Sequence, residues 1–129
     1  MATENLDPTF DTHLDESNPT TNYKTITTII TGYQPKSTSD YNFLIAFDLS
    51  SKLNITSAIL NLYITSSSIF ATSGGFYISR CNASGVTEDA TWNTKNGSDA
   101  WSSVGGDFIT DDQLTVSTLP IADQYNEYD

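Results

Sequence analysis

The sequence predicts an all-β fold, an antiparallel sandwich or jelly roll, on three observations. Apolar residues recur with period two, and no helix-length window carries a helical period. Ser, Thr, Asn and Gly separate the apolar runs, as turns between short strands require. The length, 129 residues, lets one domain bury a single core without staples. No helix longer than about two turns is expected.

The first element lies in DTHLDESNPTTNYKT, residues 11–25. Asp11 and Asp15 would share a helix face, but Asn18-Pro19 and the Thr run read as strand, turn and strand entry. TITTIITGY places Ile26, Thr28 and Ile30 on one face and Ile29 on the other. In NFLIAFDLS, Phe43, Ile45, Phe47 and Leu49 alternate with Leu44, Ala46 and Asp48. SAILNLYITS sets Ala58, Leu60, Leu62 and Ile64 against Ile59, Asn61 and Tyr63. GFYISRC and, more weakly, QLTVSTL repeat the pattern. Phe43, Ile45, Phe47, Leu60, Leu62 and Ile64 are therefore the expected core. Turns are expected in QPKSTSD, SSKLN, SSSIFATSGG and the long segment from Asn82 to Asp107.

Composition narrows the partners. Five Lys plus Arg stand against 16 Asp plus Glu, a net charge of −11 that repels nucleic acid and anionic membranes. The single cysteine, Cys81, excludes an internal disulfide and a cysteine-based zinc site, and its strand-like setting predicts a buried thiol. MATENLDPTF lacks the basic and apolar regions of a signal peptide, and no apolar run approaches the length of a membrane span. A polar, Lys-poor surface nevertheless fits a protein that works outside cells. A virion protein, made in a host cytoplasm and released by lysis, satisfies both.

Four blocks carry a family resemblance: DTHLDESNPTTNY, FLIAFDLSS, ITSAILNLYITS and VTEDATWN, in that order, over residues 11–93. They resemble the DNRLRE (disaggregatase-related) domain, which is similar to carbohydrate-binding module family 96. The resemblance implies a non-catalytic β-sandwich of jelly-roll type, found in polysaccharide-associated and phage structural proteins. Residues 1–10 would be an N-terminal extension and 11–129 one domain. Lys24 stands where the family has Gly, and Val86 where an aromatic often precedes Thr-Glu. The family's closing strands are not recognisable after Trp101, so the expectation is a longer polypeptide, or completion by other copies or neighbouring structural proteins of an assembly.

Asp11, Asp15 and Asn22 are the candidate metal ligands, since calcium takes six to eight oxygens from such residues. Along a strand, however, Asp11 and Asp15 stand about 13 Å apart, which favours a solvated acidic edge with no cofactor over a structural calcium. Trp92, within the family motif, is expected in the core. Trp101, outside it, is the candidate exposed platform for a sugar, helped by Asn96 and Asp99. His13, the only histidine, has no nucleophile motif beside it and reads as an exposed surface residue. Glu88-Asp89 lies in a polar loop without the apolar cleft that glycoside cleavage needs. Asn54, Asn82 and Asn96 head glycosylation sequons.

The leading reading is thus a non-enzymatic structural or adhesive sandwich of an extracellular assembly, with a phage virion as its setting. The alternative is a carbohydrate-binding module of a secreted or cell-surface protein, with polysaccharide as partner. Catalysis has no constellation to support it.

Overall fold

The computed structural model describes residues 4–34, 39–52, 54–65, 76–111, 113–116 and 120–129. Among these the regular elements are all strands, seven in chain order: β1 (Phe10–Asp15), β2 (Gly32–Gln34), β3 (Ser39–Ala46), β4 (Leu60–Ile64), β5 (Phe76–Ile78), β6 (Leu114–Val116) and β7 (Gln124–Tyr128). One sheet has the order β1-β3-β2, and β4 pairs with β7 and β5 with β6. Every pairing is antiparallel, as the alternation requires. Thr9 ties the entry to the far end of β3, donating through N and Oγ1 to the Ala46 carbonyl at 2.7 and 3.1 Å. The expected turns at 35–38 and 66–75, and the end of QLTVSTL at 117–119, lie outside the described residues.

The core is not where alternation put it. The face of Phe43 and Ile45 is half-buried, as are Leu60, Leu62 and Ile64, and Phe47 is 37% exposed just past the end of β3. The fully buried cluster is Leu14, Ala90, Trp92 and Trp101, with Leu44, Ala83 and Val86 packed against it. Leu44 sits directly opposite Thr12 and Asn42 opposite Leu14, so the even-numbered face of β1 and β3 packs toward the tryptophans, while His13 and Asp15 are buried on the other face of β1. The physical reason is bulk. The two tryptophans are the largest apolar groups in the chain, and they arrive from a loop whose contribution strand periodicity cannot count.

Three further readings are corrected. TITTIITGY forms a strand only from Gly32 onward, and Ile26 and Ile30 are 38% and 41% exposed. β-Branched residues favour a strand but do not supply a partner for it, and of this segment β3 pairs only from Gly32 onward. Cys81 is exposed, because β5 ends at Ile78 and Cys81 makes only an isolated bridge to Phe108. Finally, among the described residues two strands lie beyond Trp101, β6 and the polar QYNEY of β7, the latter paired along its length with β4. Tyr128 is its buried residue, while Asn126 turns its amide back onto Ile121 N, Ile121 O and Gln124 O at 2.9–3.1 Å.

Candidate functional site

The segment that shapes the surface around the tryptophans is the loop from Thr87 to Asp107, held in place by a strap at residues 16–25. Asp15, at the end of β1, starts the strap. Its Oδ1 accepts from Ser17 N at 2.8 Å, and its Oδ2 accepts from Asn18 Nδ2 at 2.7 Å and Tyr23 Oη at 2.8 Å. This is the turn-capping use of an aspartate, and it consumes the carboxylate. Asn22 donates to the carbonyls of Glu88 and Ala90 at 2.7 and 3.0 Å, while Lys24 pairs with Asp89 at 2.6 Å. The Pro19 carbonyl accepts from Asn93 N at 3.1 Å. Lys24, the departure from the family's glycine, thus gains a partner across the strap.

These contacts show how the expected calcium ligands are engaged. Asp11 is exposed on β1, the Asp15 carboxylate accepts from three neutral donors, and Asn22 donates its Nδ2 to the loop while its Oδ1 accepts from Lys24 N at 3.1 Å. Among the described residues no group of three His, Cys, Asp or Glu side chains converges to hold a metal ion.

His13 is 2% exposed, not a surface residue, and stacks on Tyr23 with ring centroids 4.1 Å apart. Its Nδ1 is buried without a partner. Burial holds its pKa below the ordinary imidazole value, and Asp15 offsets only part of that. Burial alone would raise the Asp15 carboxyl, but the donors Asn18, Tyr23 and Ser17 outweigh it and the net shift is downward. For both groups the unfolded chain takes a proton at a pH where the folded chain does not. Stability is therefore lost as pH falls below about 6.5, and again as it falls through the carboxylate range. Tyr23 is pushed up to about 12 by burial and by Asp15, so the unfolded phenol ionises first and stability also falls above pH about 10. Thermal melts should show Tm dropping from pH 7 to pH 5, with His13→Phe keeping the stack and losing that step. A flat profile for both would contradict this.

The loop itself is a compact set of turns. Asn96 Oδ1 accepts from Asp99 N and Ser98 N at 2.8 and 3.1 Å, and its Nδ2 donates to Asp99 Oδ2 at 3.0 Å. Asn96 and Asp99 therefore brace their own turn. Trp101 is 5% exposed and its indole N–H donates to the Thr91 carbonyl at 2.8 Å. It has no open face for a sugar. The expectation of an exposed platform there is corrected: the residue outside the motif packs beside Trp92, which is buried as expected.

Sequence reasoning missed the surface that this loop does open. A polar cleft of about 500 Å³ runs between residues 82–84 and 102–108, walled by Asn82, Ser84, Lys95, Ser102, Asp107 and Phe108. Phe108 is 52% exposed at its edge. Asp107 caps the turn beneath, accepting from Ser102 N and Ser103 N at 2.9 and 2.7 Å, and these bonds hold its carboxyl below the usual range. Among the described residues Lys24 and Lys52 are ion-paired, whereas Lys95 forms no salt bridge and lines the cleft within the field of the Asp107 carboxylate. An exposed aromatic next to hydroxyl, amide, carboxylate and ammonium groups offers stacking together with directed hydrogen bonds. The signal in sequence was faint, a single Phe after GGD with no periodic context.

An all-strand scaffold carrying such a cleft on its loops has the form of a ligand-binding module. The chain belongs to carbohydrate-binding module family 96, whose family model matches residues 2–106. No curated protein and no solved structure matches it. The family speaks for the carbohydrate reading and carries nothing for virion attachment.

Proposed function

We propose that this chain is a non-catalytic, jelly-roll-type module that binds a polysaccharide in the cleft between residues 82–84 and 102–108. The observation that carries the reading is Phe108, half-exposed over a polar cleft within a chain of this family. A sugar ring stacks its apolar face on Phe108, with Asn82, Ser84 and Ser102 meeting hydroxyls. Lys95 is the cleft's cation and can pair a carboxylate or sulfate group of a glycan, in competition with the Asp107 carboxylate on the same wall. The role entails no bond cleavage, and an extracellular setting goes with the ligand class.

The test is a glycan array followed by calorimetry on the best hit. Phe108→Ala should weaken binding at least tenfold, a loss of about 1.4 kcal/mol or more. Lys95→Ala should weaken binding to charged glycans more than to neutral ones. Binding that neither change affects would move the site elsewhere, and no hit at all would remove the reading.

A further inference from the structure

The strand pair β4–β7 turns a second aromatic surface outward. Along β4, Leu60, Leu62 and Ile64 are half-buried, whereas Asn61 and Tyr63 are exposed. Tyr63 stands directly opposite Tyr125, and Asn61 opposite Glu127, so these four side chains share the outer face. Tyr63 and Tyr125 are 51% and 68% exposed, and their rings meet edge to face with centroids 5.2 Å apart at 74°. One ring face is thereby open to solvent beside the edge of the other, forming a corner. The side chains of Asn61 and Glu127 have no hydrogen-bond or ionic partner among the described residues.

We propose that the Tyr63–Tyr125 corner, flanked by Asn61 and Glu127, is a second contact surface for an uncharged polysaccharide. The inference rests on the reading of the chain as a carbohydrate binder and adds a site that the family match covers only in part, since β4 lies within residues 2–106 and β7 beyond them. The chemistry is that of sugar recognition: an open ring for the C–H face of a pyranose, an amide to donate and accept, and a carboxylate to accept from two hydroxyls. The charge selects the class of ligand. These four residues carry a carboxylate and no cation, on a chain of net charge −11, so an acidic glycan is repelled here and a neutral one is not. The cleft carries a cation, Lys95, that this surface lacks, and the two surfaces are separable by ligand charge.

Affinity electrophoresis in native gels separates them. Wild type, the double variant Tyr63→Ala/Tyr125→Ala, the double variant Tyr63→Phe/Tyr125→Phe and Phe108→Ala are run through hydroxyethylcellulose, xylan, glucomannan and polygalacturonate. At least one neutral polymer should retard the wild type. The Ala double variant should weaken that retardation at least tenfold, with the Phe double variant and Phe108→Ala keeping most of it. Retardation by polygalacturonate should survive in the Ala double variant, which also shows that it is folded. Retardation by polygalacturonate alone, lost in Phe108→Ala, overturns the second surface and leaves the cleft reading standing. Neutral-polymer retardation unchanged in the Ala double variant makes the tyrosines a structural cross-strand pair and overturns the inference. Retardation by no polymer overturns both.

Discussion

Replacing Trp101 with alanine is expected to cost about 3–5 kcal/mol of stability, the range for truncating a buried tryptophan. The indole is 5% exposed and packs in the cluster with Leu14, Ala90 and Trp92. Its N–H also satisfies the Thr91 carbonyl at 2.8 Å, an acceptor the alanine variant leaves without that donor. The loop that carries the cleft is built on this contact, so Trp101→Ala should weaken glycan binding only as a consequence of unfolding. Urea denaturation measures the stability directly, and Trp101→Phe should fall between the two. A loss below about 1 kcal/mol would be that of a surface residue and would return Trp101 to the exposed role the sequence suggested.

Gly105→Ala should cost about 2–4 kcal/mol, for two reasons that add at one position. Gly105 has φ +86°, and a Cβ there would lie 2.8 Å from Cη2 and 2.9 Å from Cζ2 of Trp92. The ring cannot yield easily, because the residue's own backbone is fixed on both sides. Its N–H donates to the Trp92 carbonyl at 2.8 Å and its carbonyl accepts from Asn42 Nδ2 at 2.9 Å. Gly85 supplies the comparison, with φ +72° and nothing within 4 Å of the added carbon. Gly85→Ala should show only the backbone strain, about 1 kcal/mol. Equal losses at the two glycines would mean that the turn at 103–106 does not press on Trp92.

What was legible in the sequence is what period two can encode. β3 and β4 alternate plainly and are legible, as is the turn from Asp15 through Pro19. The sealed core was not legible, because Leu14, Trp92 and Trp101 meet through a loop whose shape depends on hydrogen bonds between residues far apart in the chain. β7 was passed over for a related reason. Gln, Asn and Glu make QYNEY look like a solvated tail, yet its pairing with β4 needs backbone groups, and only Tyr128 needs to be buried. At the site, the family motif placed Trp92 in the core, where it lies. Trp101 lies outside that motif in a polar loop and so reads as the exposed platform. A tryptophan with a hydrogen-bonded indole has more to gain from burial than a phenylalanine at the loop's edge, and Phe108 is the ring left at the surface.

The central claim, that a glycan is bound over Phe108 by the loop cleft, is tested most directly by backbone amide shifts on titrating ¹⁵N-labelled protein with the best-binding oligosaccharide. Shifts clustered on residues 82–84, 95 and 102–108, and quenched in Phe108→Ala, are the predicted result. Saturable binding that leaves those amides unmoved would contradict it.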